Sequence, residues 1–270
     1  MLRLTAPRGA NPYAKQWIQR QANDPFVAQA RREGYVARSA FKLTHIDDEF
    51  GLFTPQTAAV VDLGSAPGGW LQVIQRRVPP EAALFAVDLQ SLRVPIVGVR
   101  ALQGDFSSAA VQRSLGAALT DAGVAGQINV VTSDMAPHLG HHKAEYALVG
   151  LSRNAIAFAV QQLAPGGHFV CKTLGDVERM YPETLAIAYR HFLRVAVVKP
   201  PASRATSAEK FLVCTGKLES PRDSTTGIEA AAMGAKGKAG KLGYTKYGLD
   251  DWPGLGRSRN RKEPAASPRR

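Results

Sequence analysis

Between residues 58 and 216 the chain alternates short apolar runs with longer segments of helical periodicity. Most of the apolar runs are continuous, which is typical of strands that are covered on both faces. The pattern predicts seven strands, at 58–64, 83–89, 99–105, 128–134, 167–173, 193–199 and 210–216. Because helical segments separate most of these strands, it indicates an α/β fold with a doubly wound, mostly parallel sheet and helices on both faces.

Two features refine this pattern towards the end of the sheet. The longest helical segment starts near Ala147 and is expected to stop at Pro165-Gly166-Gly167. The last two predicted strands are joined by a short polar segment without room for a helix. A parallel crossover normally needs about a dozen residues or more. We therefore expect the seventh strand to be antiparallel.

The two ends of the chain differ from the middle. The pattern over residues 1–57 predicts one or two helices, with Phe41, Ile46 and Phe50 on one side. Residues 218–270 are rich in Gly, Pro, Ala, Ser and basic residues, a composition typical of a disordered segment. The pattern thus divides the chain into an N-terminal helical extension, an α/β domain over 58–217 and a basic, largely disordered tail.

The charge of the chain indicates a polyanionic partner. It has 34 Lys and Arg against 22 Asp and Glu, a formal net charge of +12. Nucleic acid is the commonest ligand for such a field, and a solvated basic surface is the alternative. The tail holds eleven Lys and Arg against six Asp and Glu, so the rest of the chain is also basic.

Composition also bears on the compartment. Cys171 and Cys214 both lie inside apolar runs, as expected of reduced, buried thiols in a reducing compartment. No apolar run is long enough to cross a membrane, so we expect no membrane partner. Residues 1–23 contain four basic residues and no acidic residue, which suits a mitochondrial presequence and an RNA-binding arm equally well.

A glycine-containing turn follows the first strand, in "DLGSAPGGW" at 62–70. Small residues there let the backbone approach a ligand closely, but the spacing is not that of the dinucleotide fingerprint. Asp88 ends the second strand and Asp105 follows the third, where a carboxylate can bind ribose hydroxyls. This combination indicates a nucleoside cofactor without a pyrophosphate, as in S-adenosylmethionine (SAM). A purely structural turn with surface acids is the alternative.

Four further polar residues stand out, one before the sheet and three in or next to predicted strands. They are Lys42, Asp134, Lys172 and Glu209. A lysine inside an apolar strand is unusual because a buried ammonium must be paired or lose its proton. Each residue alone has an ordinary explanation, since strand-end acids are common and lysines extend to solvent. Together they could converge at the carboxyl edge of the sheet, beside the cofactor.

Three histidines, His138, His141 and His142, follow Asp134 on a predicted turn after Pro137. A metal site would need three or four converging ligands, and no other Cys or His obviously completes the set. We therefore expect no metal here. The alternative is a loop beside the substrate, where these histidines contact phosphate or have no role.

At this point the sequence resembles a known family. In order and spacing, seven segments are similar to the RrmJ/FtsJ family of SAM-dependent RNA 2′-O-ribose methyltransferases: "RSAFKL", "VVDLGSAPGGW", "AVDLQ", "GDF", "SDMAP", "APGGHFVCKT" and "KPPASRATSAEKFLVCTG". The resemblance covers roughly residues 24–217. It implies a Rossmann-like methyltransferase fold with a seven-stranded sheet and an antiparallel last strand.

The resemblance also assigns site residues. The family's catalytic Lys-Asp-Lys-Glu tetrad would fall on Lys42, Asp134, Lys172 and Glu209. The SAM contacts would fall on Gly64, Gly68, Gly69, Trp70, Asp88, Asp105 and Asp134. Lys172, with a pKa lowered by burial and neighbours, would be the general base or stabilise the developing alkoxide. Asp134 would orient Lys172 and the methyl donor, and the other two residues would position the ribose. No metal would be required.

The family implies RNA partners of two kinds. One branch modifies a uridine in the peptidyl-transferase region of large-subunit rRNA, and we favour it over the branch that modifies the tRNA anticodon loop. An assembly factor that binds rRNA with secondary or lost methylation is a third possibility. We expect a monomer that acts on the large ribosomal subunit or its precursor, with the N-terminal extension binding RNA. The basic start favours the mitochondrial matrix, with the bacterial cytoplasm as the alternative. The segment "HLGHHKAEYAL" departs from the family pattern.

Overall fold

The computed structural model describes residues 23–137, 141–223, 238–239 and 245–247. Within these ranges the helices are α1 (Pro25–Glu33), α2 (Ala40–Phe50), α3 (Gly69–Arg77), α4 (Ala109–Asp121), α5 (His141–Gln162), α6 (Val177–Met180) and α7 (Pro182–His191). The strands are β1 (Ala59–Leu63), β2 (Ala83–Asp88), β3 (Val99–Gln103), β4 (Ile128–Ser133), β5 (Leu163–Leu174), β6 (Phe192–Val198), β7 (Glu209–Lys217), β8 (Lys238–Ala239) and β9 (Thr245–Tyr247).

The strands form one sheet in the order β3-β2-β1-β4-β5-β7-β6-β9-β8. The first five strands pair in parallel, and β7 lies antiparallel between β5 and β6. The predicted seven-stranded, mostly parallel sheet with an antiparallel last strand is therefore confirmed. The strand order reverses between β1 and β4, which is the place where open α/β sheets bind their ligands.

Each face of the sheet buries its own apolar core because successive side chains of a strand point to opposite faces. On β1, Val61 and Leu63 pack with α4, α5 and α7, whereas Val60 packs with α2 and α3. Both neighbours of β1 are strands and both of its faces are covered, so all five of its residues are buried. This arrangement explains why the strand sequences are continuous apolar runs.

The described part of the N-terminal extension consists of two helices, as the pattern predicts. Helix α1 begins at Pro25 with Asp24 as its N-cap, and α2 packs directly on the sheet through Leu43 and Ile46. Phe41, predicted on the same side as Ile46, instead packs with Ala30 and Ala202. Helix α2 therefore joins α1 to the sheet, and it also carries Lys42.

Helix α5 and strand β5 begin earlier than the sequence predicts. Helix α5 starts at His141, so His141 and His142 belong to a helix and not to a turn, because good helix formers follow them. Strand β5 starts at Leu163, so the Pro-Gly-Gly turn lies inside it. There β5 pairs with β4 at Leu163 and again from His168, with an irregularity between the two.

Strands β9 and β8 extend the sheet beyond β6. Residues 1–22 and most of 218–270 lie outside the described residues. The presequence, the RNA-binding arm and the disorder of the tail therefore stay predictions. In the described part of the chain, no helix combines the length and apolar character that crossing a bilayer would need.

Candidate active site

A cavity of about 920 Å³ lies at the carboxyl ends of β1, β2 and β4. This volume is within the range of small-molecule sites. Its polar lining includes three of the predicted cofactor acids, Asp88, Asp105 and Asp134, and its apolar lining includes Val87, Phe106 and Met135. The sheet therefore brings these three acids, which are far apart in the sequence, to one concave site.

The turn after β1 forms one wall of this cavity. Gly64 has φ of +78°, and its N–H donates to the carbonyl of Val87 on the neighbouring strand (2.8 Å). A Cβ at this position would lie 2.6 Å from the backbone nitrogen of Met135. Gly64 is therefore required both for its backbone conformation and for the close approach of two loops.

The Asp88 carboxylate organises the second wall. Its Oδ2 accepts from the N–H of Ala66 (2.9 Å) and its Oδ1 from the N–H of Gln90 (2.8 Å). Each carboxylate oxygen can accept a further hydrogen bond, so Asp88 can hold the turn and still bind a ligand hydroxyl. Asp105 is exposed at the rim, where its Oδ1 accepts from the N–H of Ser107 (2.8 Å).

Three predicted cofactor contacts lie elsewhere. Gly68 and Gly69 form the start of α3, and Trp70 is 3% exposed. The Trp70 indole N–H donates to the carbonyl of Ser39 (2.9 Å), and its ring lies 5.7 Å from that of Phe211. None of these three residues lines the cavity. Trp70 supports Phe211, whose ring lies 5.6 Å from the ammonium of Lys42.

The four predicted tetrad residues form two adjoining ion pairs. Lys172 Nζ lies 2.6 Å from Asp134 Oδ1 and donates to the Asp134 carbonyl oxygen (2.8 Å). Lys42 Nζ lies 2.7 Å from Glu209 Oε2. Glu209 pairs with Leu174 in the β5–β7 register, and Leu174 lies two residues after Lys172 on β5. The antiparallel β7 is therefore what brings Glu209 to Lys172.

Mutual attraction keeps both Lys172 and Asp134 charged. Burial opposes ionisation of Asp134, but the ammonium groups of Lys172 and Lys42 hold its pKa below the usual range. Burial alone would lower the pKa of Lys172, yet the carboxylates of Asp134 and Glu209 raise it above the ordinary value. The expected lowering of the Lys172 pKa is therefore wrong, because its neighbours are carboxylates. An ammonium at this position suits charge stabilisation better than proton abstraction.

Asp62 is a buried carboxyl near the site that the sequence analysis did not single out. It lies on β1, is fully buried, and accepts from the Thr132 hydroxyl through Oδ1 (2.7 Å). Its Oδ2 has no hydrogen-bond partner within the described residues. Burial, together with the nearby carboxylates of Asp134 and Asp88, raises the pKa of Asp62 to about 8. A polar residue inside the apolar run "AAVVDLG" was the available signal.

Other cavity residues gave weaker signals or none. Phe106 and Met135 each follow a predicted acid directly, so their position was implied by the motifs "GDF" and "SDMAP". Gly150, Leu151 and Asn154 reach the cavity from α5, and no local pattern marks them. Their placement depends on how the helix packs across the sheet.

Among the described residues, no group of three or more His, Cys, Asp or Glu side chains could hold a metal ion. His138 and the side chains of His141 and His142 lie outside what the structure describes. The expectation that they bind no metal, and the alternative of phosphate contacts, stay predictions.

The topology, with its antiparallel β7 inserted between β5 and β6, is that of the Rossmann-like methyltransferases. A family model described as FtsJ-like methyltransferase matches residues 35–217, and the chain belongs to this family. The first matched residue precedes α2, so the match includes all four tetrad positions.

Relatives and a solved structure agree with this family. The chain is 41% identical over 218 residues to a protein of Sphingopyxis alaskensis named ribosomal RNA large subunit methyltransferase E, covering 80% of this chain and 90% of that protein. It is 42% identical over 221 residues to a protein of the same name from Xanthobacter autotrophicus, covering 80% and 83%. A crystal structure from Plasmodium falciparum, named as a ribosomal RNA methyltransferase, matches with TM-score 0.56 and 26% identity, covering 68% of this chain and 99% of that one.

Replacing Gly64 by alanine should damage the cavity. The added Cβ would meet Met135 backbone, and an alanine at positive φ is strained by about 1–3 kcal/mol. We expect lower thermal stability and weaker SAM binding in calorimetry. Gly51→Ala is the control, because Gly51 also has positive φ (+61°) but no atom lies within 4 Å of its added Cβ. Equal loss of SAM affinity in both variants would contradict this account.

Asp62 should make the stability of the protein pH-dependent. Its folded pKa of about 8 exceeds the unfolded value. Its contribution is therefore full below about pH 4 and is lost as pH rises through 8. Asp62→Asn removes this loss. Between pH 5 and 8 the free energy of unfolding of the variant should therefore rise relative to that of the wild type, by on the order of 1 kcal/mol per pH unit. Urea unfolding at each pH measures the difference, with Asp105→Asn as an exposed control. A difference that does not vary with pH would refute the assignment.

Proposed function

We propose that this protein transfers a methyl group from SAM to a ribose 2′-hydroxyl of RNA, with a uridine in the peptidyl-transferase region of large-subunit rRNA as the target and a contribution to ribosome assembly. The observation that carries the proposal is the pairing of Lys42 with Glu209 and of Lys172 with Asp134 beside the cavity. A ribose hydroxyl is a poor nucleophile at neutral pH, and this cluster offers fixed charges to assist it.

The cavity suits the cofactor. Asp88 and Asp105 can accept hydrogen bonds from ribose hydroxyls, while Phe106 and the apolar wall at Met135 can contact a base and the apolar part of the methionine side chain. Gly64 lets its turn and the Met135 segment approach each other closely, so that both line the cavity. When bound, SAM supplies a methyl group on a sulfonium sulfur, which is a good leaving group. No protein-bound metal is needed to activate such a donor.

Each tetrad residue has a distinct role in the proposal. Lys172, held as an ammonium, donates towards the 2′-oxygen and stabilises the negative charge that develops on it. As the oxygen bonds to the methyl carbon, the methyl–sulfur bond breaks and the hydroxyl proton passes to water. Asp134 borders both the cavity and Lys172, so it fixes the ammonium relative to the bound cofactor. Lys42 and Glu209 flank this pair and position the ribose. Holding the reacting groups in line supplies much of the rate.

Three considerations support rRNA as the substrate. The relatives at about 40% identity are named as large-subunit rRNA methyltransferases. The net charge of +12 favours a polyanion. The segments "SDMAP" and "CKT" resemble the rRNA branch of the family. Because those relatives are bacterial, we propose the bacterial cytoplasm as the setting; they lend no support to the mitochondrial matrix.

Ribose-methylation mapping of rRNA and tRNA, in cells with and without the gene for this protein, tests the proposal. We expect one methylated uridine of the large-subunit rRNA to disappear in its absence and to return on complementation. Loss of a tRNA anticodon-loop methylation would instead support the alternative branch. Unchanged methylation with defective subunit assembly would support the assembly factor.

Lys172→Ala should abolish transfer while SAM still binds. Removing the ammonium deprives the developing alkoxide of its charge partner, and such losses reduce kcat about 100-fold or more. Transfer of tritiated methyl groups to ribosomal particles measures kcat, and calorimetry measures SAM binding. Lys210→Ala is a matched control, because Lys210 directly follows Glu209 on β7, so its side chain points to the other face of the sheet, where its ammonium donates to the Gly175 carbonyl (3.2 Å). Near-normal turnover of Lys172→Ala would overturn the role.

A further inference from the structure

The segment 200–208 connects β6 to β7 and leads directly into Glu209. Its second half closes around one ammonium: Lys199 Nζ donates to the carbonyl oxygens of Ala205 (2.9 Å) and Ser207 (2.6 Å). Backbone carbonyls in a loop otherwise bond to water, and a shared cation fixes their direction. The loop before Glu209 is therefore ordered by contacts that the proposed chemistry does not use.

The first half of the segment is tied to the N-terminal helices. The Arg38 guanidinium donates to the Ala202 carbonyl and pairs with the Asp24 carboxylate. Asp24 also caps α1 through the N–H of Phe26 (3.1 Å) and lies 3.4 Å from Arg204. These side chains of Arg38 and Asp24 are mostly buried, so the pair is more than a screened surface contact.

Ser203, between these anchors, is 3% exposed and donates through Oγ to Glu209 Oε1 (2.8 Å). Its own N–H donates to the carbonyl of Pro200 (2.8 Å). The other oxygen of Glu209, Oε2, faces Lys42. The two carboxylate oxygens are thus assigned to different donors, one neutral and fixed by the loop and one cationic.

We infer that Ser203 is a positioning residue, which acts through Glu209 to direct the Lys42 ammonium towards the substrate ribose. The inference rests on the proposed function. The terminal torsion of a glutamate is broad and does not hold the carboxylate plane by itself. Without the serine hydroxyl, Glu209 can rotate and carry Lys42 with it. The anchors at Arg38 and Lys199 keep the hydroxyl in place.

The test compares Ser203→Ala with Thr206→Ala, since Thr206 is an exposed hydroxyl residue on the same loop. A hydrogen bond to a charged group is worth enough for about a tenfold fall in kcat of Ser203→Ala. SAM affinity and the KM for the ribosomal substrate should stay within about twofold, as expected of an interaction that matters in the transition state. Thr206→Ala should keep wild-type kcat, and recovery of kcat by Ser203→Thr would support the role of the hydroxyl.

An unchanged kcat in Ser203→Ala, or a loss confined to KM, would overturn the inference. Absence of transfer in the wild-type protein would contradict the proposed function instead. In that case crystal structures of wild type and Ser203→Ala decide the positioning: a rotated Glu209 carboxylate supports it, and an unmoved Glu209 overturns it.

Discussion

The burial of the Lys172 ammonium is the constraint on which the site depends. A cation that is 8% exposed in the middle of a sheet must be compensated nearby, and Asp134 does so through both its carboxylate and its carbonyl oxygen. This requirement fixes the end of β4 relative to β5. It also gives Glu209, at the start of β7, an electrostatic reason to face the same point. The charges therefore hold the strand ends together as well as forming the candidate catalytic cluster.

The surroundings of this cluster separate two kinds of acid. Asp134 is beside two ammonium groups, which keep its pKa low. Asp62 lies on the adjacent strand without a cation, so burial raises its pKa to about 8. Two carboxyl groups on neighbouring strands thus have opposite protonation preferences at neutral pH. The difference arises from their partners and not from residue type.

The fold was largely predictable from the sequence. Continuous apolar runs located the strands, and the short segment after Lys199 required an antiparallel β7. Predictions failed where local signals competed with pairing. The Pro165-Gly166-Gly167 turn reads as a helix stop, but β4 offers partners on both sides of it and the strand continues. The assignment of Trp70 to the cofactor site, made by resemblance, stays a prediction, although its indole is buried against Phe211.

The sequence by itself determined the strands and the order of the motifs, because periodicity and residue type are local properties. The four tetrad residues are what its resemblance to a known family implies. Only the tertiary structure decided which charges meet. Lys42 and Glu209 are 167 positions apart, and their contact exists because α2 packs on the sheet next to β7. The direction in which the pKa of Lys172 shifts was decided in the same way. Burial lowers this pKa and the neighbouring carboxylates raise it, and their balance depends on distances that no sequence pattern contains.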